Sequence, residues 1–132
     1  DGAYRLNPDG KLIPIHVSNR NDKLIPMRSV SHFKAVEAEY MKKHEDHFLC
    51  EPKMIGSALK FARIAEGECD FFARLVDGTK EWDVASGDLI VREAGGFFGK
   101  PNGERITYNK VDVHNRDGYI MGNHPQDWMF IN

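Results

Sequence analysis

The sequence predicts an α/β fold, a layered domain in which a mixed β-sheet is flanked by helices. Three observations predict it. Apolar residues recur at helical spacing over 32–44, 57–66 and 83–94, and short extended runs separate these segments. Helices that alternate with strands bury their apolar stripes against a sheet, which gives layers. The turn sequence Asn7-Pro8-Asp9-Gly10 joins two early extended stretches, so the sheet is expected to be mixed rather than purely parallel.

Each element has its own warrant. Ala3–Leu6 and Leu12–Val17 read as a hairpin, because Pro8 presets φ and Gly10 accepts positive φ. Ser18–Lys23 is a polar loop. Ile25–Val30 is a strand whose Pro26 places its start near an edge. Ser31 is the expected N-cap of a helix over His32–His44, and Phe48–Cys50 is a short strand. Ser57–Glu66 is a helix stopped by Gly67. Cys69–Leu75 is a strand with Phe71 and Phe72 on opposite faces. Asp83–Ala94 is a second strong helix, ended by Gly95-Gly96, and Gly96–Gly99, Ile106–Tyr108 and Gly118–Met121 are the last strands.

Composition bounds the function. At roughly 100–200 residues per domain, 132 residues make one domain, 1–132. The sum of 18 basic and 20 acidic residues is −2, which argues against a nucleic-acid polymer or a polybasic membrane anchor as partner. No apolar run approaches the roughly 18–20 residues of a membrane span, and residues 1–20 lack a signal peptide's apolar core. No integral membrane contact and a cytoplasmic location are expected. Cys50 and Cys69 make neither a disulfide scaffold nor a CxxC zinc site. The chain starts at Asp1-Gly2 with no Met, as if cut from something longer.

Three groups of residues carry candidate chemistry. Asp83 lies where the chain enters a helix, so its carboxylate either caps that helix or ligates a hard cation such as Mg²⁺, which takes one or two protein carboxylates plus waters and phosphate oxygens. Trp82 is placed to shield it from water, and the small Ala85, Ser86 and Gly87 permit close approach. Ser57 and Lys60 are three apart on one expected helical turn, and Arg74 ends the next strand. Lys60 and Arg74 together suit a phosphate; apart, they are solvated surface charges. His32, within Arg28-Ser29-Val30-Ser31-His32, is either a capping or surface residue or a ligand contact. His44-Glu45-Asp46-His47 imitates a metal cluster, but His44 and His47 fall where a helix should end, and it reads as solvated chain.

Trp82-Asp83-Val84-Ala85-Ser86-Gly87, followed by Glu93-Ala94-Gly95-Gly96, resembles the second signature of the inositol monophosphatase superfamily of metal-dependent, lithium-sensitive phosphatases, W-D-x-A-[AGS]-G and then E-A-G-G. Within it the chain is most similar to the 3′(2′),5′-bisphosphate nucleotidases, through Arg28–His32, Ser57-Ala58-Leu59-Lys60-Phe61, Ile64-Ala65-Glu66-Gly67, Asp70-Phe71-Phe72-Ala73-Arg74 and Thr107-Tyr108-Asn109-Lys110. Ala73 stands where these enzymes usually have Pro, and the Arg74-to-Asp83 spacing is a residue longer than in common bacterial members. Asp77-Gly78-Thr79 lacks the Asp-Pro that opens the family's D-P-[IL]-D-G-T metal loop.

The resemblance implies the C-terminal, substrate-facing lobe of an inositol monophosphatase-like fold. The N-terminal lobe, with a catalytic Glu and the metal loop, is then a missing partner of the same polypeptide. It implies Mg²⁺-dependent removal of the 3′-phosphate from 3′-phosphoadenosine 5′-phosphate, a step of sulfur metabolism. Asp83 then matches a metal ligand. Ser57, Lys60 and Arg74 match residues that hold the nucleotide bisphosphate, and His32 lies near the nucleoside. A chain with one metal carboxylate is expected to be inactive alone and to self-associate through its exposed lobe interface. The alternatives are an inositol monophosphatase-like or other sugar phosphatase, and a non-catalytic anion-binding module.

Overall fold

The computed structural model describes residues 2–131; Asp1 and Asn132, and the expectation drawn from the chain's first residue, lie outside the described residues. The strands are β1 Ala3–Leu6, β2 Leu12–Ile15, β3 Met27–Arg28, β4 Lys53–Met54, β5 Phe71–Arg74, β6 Phe97–Gly99 and β7 Tyr119–Gly122. The α-helices are α1 Ala35–Lys43, α2 Leu59–Ala65 and α3 Glu81–Glu93, with 3₁₀ turns at Glu45–His47 and Asp127–Met129.

The centre is a three-stranded antiparallel sheet in the order β5-β7-β6. All residues of β5 and β7 are buried, because the sheet is covered on both faces. Phe72, Tyr119, Met121 and Phe98 turn toward Phe61 and Ile64 of α2 and Val84 and Val91 of α3. Phe71, Ala73 and Ile120 turn to the other side, against Tyr40 and Met41 of α1, Leu24 and Met129. This is the expected α/β layering, and Phe71 and Phe72 lie on opposite faces as period-2 alternation requires. Parallel bridges, β3 with β4 and Pro26 with Phe71, join the antiparallel pairs, so the strand pairing is mixed but divided among small sheets. Two close approaches fix the layers. Gly118 has φ +80 and a Cβ there would lie 1.8 Å from Arg74 O, so only glycine admits β7 beside the end of β5. A Cβ on Gly87 would meet the Phe61 ring at 2.3 Å, so α3 packs on α2 through that glycine.

The hairpin forms as expected, with Leu6 opposite Leu12 and Tyr4 opposite Pro14. Several expectations need correction. The first helix starts at Ala35, with Lys34 at its N-cap rather than Ser31, because Glu37 folds back to accept the Lys34 N–H at 3.0 Å. Residues 29–33 stay non-helical. Phe48 makes only a single bridge to Leu24, and the strand lies later, at Lys53–Met54. Ile106–Tyr108 forms no strand; Ile106 is buried, while Tyr108 donates to Asp88 at 2.6 Å, so a side chain rather than a ladder anchors it. No described helix is long and apolar enough to cross a membrane.

Candidate functional site

β5 delivers Arg74 to the face it shares with Phe72, opposite Tyr119 in the ladder. Arg74 is 8% exposed and its Nη1 donates to His32 O at 2.9 Å. Its Nε is buried with no hydrogen-bond partner among the described residues. A buried donor left unpaired is costly, so this atom marks a place where a partner is wanted.

α2 brings Lys60 to the same place. Its ammonium is buried 4.9 Å over the Phe72 ring and donates to Ile55 O at 3.2 Å. Burial lowers its pKa, the nearby Arg74 lowers it further, and Glu37 opposes both. Two cations are thus held close together away from water. Ser57 differs from expectation: α2 begins at Leu59, and Ser57 precedes it with φ 52. A left-handed serine costs on the order of 1–3 kcal/mol, and such residues cluster at ligand sites. It follows Gly56, and its carbonyl accepts the Lys60 N–H at 3.4 Å.

Asp83 sits at the third position of α3. Its Oδ2 accepts the Lys80 N–H at 2.8 Å, so the capping reading is correct for one oxygen. The other makes no hydrogen bond to a described residue. The negative group also suits the positive end of the helix. Trp82 is 64% exposed, with Lys80 Nζ 5.4 Å over its ring. The segment before Asp83 is held by Glu81, which accepts the N–H groups of Asn109 and Lys110, both at 3.0 Å. Those contacts depress the Glu81 pKa.

One cavity of about 690 Å³ is lined by all five predicted residues, His32, Ser57, Lys60, Arg74 and Asp83. Its volume lies in the range of small-molecule sites, roughly 300–1,000 Å³. A slightly larger hollow, about 760 Å³, is lined by residues such as Phe33, Lys42 and Cys50 and contains none of the five. Sequence reasoning assigned no site role to Tyr119, Phe72, Gly78 and Thr79, which also line the first cavity. Gly78 and Thr79 belong to the stretch that lacks the Asp-Pro of the metal loop. It is instead a wall, with room for Arg74 only because residue 78 has no side chain. His44 and His47 do not form a metal site; both rings pack on Trp128, at 4.9 and 4.4 Å. Among the described residues no group of three His, Cys, Asp or Glu is placed to hold an ion.

The layered fold and its cavity are those of a known class of α/β proteins, the inositol monophosphatase fold. The chain belongs to the inositol monophosphatase family, whose pattern it matches over residues 4–127. It is 33% identical over 109 residues to the 3′(2′),5′-bisphosphate nucleotidase CysQ of Buchnera aphidicola, covering 83% of this chain and 39% of that one. An uncharacterized protein in the pss 5′ region of Rhizobium leguminosarum is 43% identical over 66 residues, half of this chain and 68% of that one. The crystal structure of CysQ from Bacteroides thetaiotaomicron superposes with a TM-score of 0.72 and 29% identity, over 86% of this chain and 42% of that one. The chain therefore spans about two-fifths of the length of these CysQ proteins.

Proposed function

We propose that this chain is the substrate-facing part of a magnesium-dependent phosphomonoesterase that removes the 3′-phosphate from 3′-phosphoadenosine 5′-phosphate. The observation that carries this reading is the convergence of His32, Ser57, Lys60, Arg74 and Asp83 on one cavity. Lys60 and Arg74 hold the phosphate that is not cleaved: a point charge and a planar fork, both already stripped of water, with a free Nε on the fork. Desolvation strengthens their attraction for an anion. Ser57 lies beside Lys60 at the mouth of α2, and exposed His32 borders the nucleoside. The buried Tyr119 hydroxyl keeps its proton, since burial raises its pKa, so it adds no negative charge to the wall.

Asp83 fits a hard cation as one ligand, because only one of its oxygens is taken by the helix start. Bound magnesium supplies an acidified water and neutralises phosphoryl oxygens. The remaining ligands are assigned to a companion lobe, which the same reading packs against the outer face of the hairpin. Tyr4, Leu6, Leu12 and Pro14 are all exposed there, Leu6 at 67% and Leu12 at 64%. A cytoplasmic location and self-association through that apolar face belong to this proposal.

The test is calorimetric titration of the chain with 3′-phosphoadenosine 5′-phosphate and with inositol 1-phosphate, alongside a phosphate-release assay with Mg²⁺. Saturable binding that favours the nucleotide, without turnover, is expected. Preference for the inositol ester would transfer the site to a sugar phosphatase, and turnover near that of a complete enzyme would sink the division into two lobes.

A further inference from the structure

Glu37 of α1 is 3% exposed and lines no part of the cavity, yet it is tied to the residues that do. Its two oxygens go to two different elements. Oε1 accepts the N–H of Lys34, two residues after His32, at 3.0 Å. Oε2 accepts the N–H of Leu75, the residue after Arg74, at 2.9 Å. Arg74 Nη1 in turn donates to His32 O at 2.9 Å. These bonds close a ring: carboxylate, Leu75, Arg74, guanidinium, His32, Lys34 and back to the carboxylate. A helix cap needs only the first of Glu37's bonds. The second reaches across to the end of β5, and Glu37 makes no ion pair with a described Lys or Arg.

We propose, resting on the phosphate-pocket reading above, that Glu37 is a positioning residue that fixes the Arg74 guanidinium for its anion by splinting the start of α1 to the end of β5. The electrostatics sharpen this. A buried negative charge near Lys60 and Arg74 opposes anion binding, so its direct effect on affinity is unfavourable. A residue whose charge hinders and whose hydrogen bonds help can be recognised by the sign of its replacement.

Glu37→Gln removes the charge and turns an amide N–H against one of the two backbone donors. Electrostatics alone predicts tighter phosphate binding; positioning predicts weaker binding. The experiment is calorimetric titration of the whole chain with inorganic phosphate, well below the melting temperature of each variant. Glu37→Gln is expected to bind about fivefold to tenfold more weakly, the loss of one charge-assisted hydrogen bond. Glu37→Asp keeps the charge but is one methylene too short to reach both donors, and it is expected to lose affinity in the same direction. It also decides the matter if Glu37→Gln fails to fold. Solvent exchange of the Arg74 Nε proton, followed by ¹⁵N NMR, is expected to quicken in both variants while that of Arg20 stays unchanged. Wild-type binding with equal or tighter binding in the folded variants would overturn the role of Glu37 and leave the pocket standing. Absence of phosphate binding in the wild-type chain would overturn the pocket reading and this role with it.

Discussion

Two buried clusters of charge lie on either side of residues 70–74, and they are built differently. Asp70 is fully buried and completely satisfied. It accepts from Ser18 Oγ at 2.5 Å, Arg20 Nε at 2.6 Å and the Ile25 N–H at 2.8 Å. Asn123, also fully buried, ties Ser18 and Arg20 together from the other side. Four residues along, Lys60 and Arg74 are two buried like charges whose described acceptors are single carbonyls, and Arg74 keeps an unpaired Nε. The first cluster is closed within the chain and holds the hairpin exit, β3 and β5 together. The second is left open within the described residues, and on the function proposed above an anion completes it. Satisfied burial is what a structural role requires, and unsatisfied burial of like charges calls for a partner.

The largest expected effect comes from breaking the closed cluster. Asp70→Asn turns an amide N–H toward donors that the carboxylate accepts, leaves the partly exposed Arg20 without its counter-charge, and is expected to cost about 2–3 kcal/mol in denaturant unfolding. A loss below about 1 kcal/mol would make the cluster dispensable and remove the contrast. Lys60→Met should do the opposite. It removes a buried cation that makes no ion pair with a described residue, so stability stays within about 1 kcal/mol of the parent, while affinity for 3′-phosphoadenosine 5′-phosphate falls about tenfold or more by calorimetric titration. Gly78→Ala sharpens the point without touching a charge. Its Cβ would lie 2.2 Å from Arg74 Nη2, so the guanidinium must move. Nucleotide affinity is expected to drop several-fold, with a melting change worth only about 1 kcal/mol.

The smallest effect is in pH. The folded Lys60 pKa lies below its ordinary 10.5 through burial and then Arg74. Between the folded value and 10.5 the unfolded chain binds more protons, so this lysine's contribution to stability rises with pH across that window and is lost again as pH falls through the folded value. A bound anion favours the charged ammonium, so nucleotide affinity should decline as pH climbs through the same window. Unfolding and titration series at alkaline pH check both signs. Lys60→Met should flatten them.

Much of the fold was legible because local chemistry and tertiary packing agree. The Asn7–Gly10 turn, the alternating Phe71 and Phe72, and the apolar stripe of α3 each say one thing, and the structure says the same. The misses have a common physical cause. Ser31 looked like a cap, but the chain at 29–33 is needed in a non-helical path that offers His32 O to Arg74, and Glu37 closes the helix later. Ser57 looked helical because the apolar stripe begins right after it, but α2 starts only at Leu59, and Ser57, in the cavity wall, has a left-handed φ of 52. Of the candidate site, five of the residues that line the cavity, His32, Ser57, Lys60, Arg74 and Asp83, were readable from motif and spacing. Glu37, Tyr119 and Gly78 were not, since each acts through a contact at long sequence separation. The glutamate three residues after Lys34 was the one available signal, and it announced a helix start only.

The most direct test of the contrast is a ¹⁵N NMR titration that follows the Nε–H resonances of Arg74 and Arg20 as 3′-phosphoadenosine 5′-phosphate is added to the chain. The expected result is a saturable shift and slowed solvent exchange at Arg74, with Arg20, held by Asp70, unmoved. A nucleotide that saturates the chain while Arg74 stays still would contradict the account.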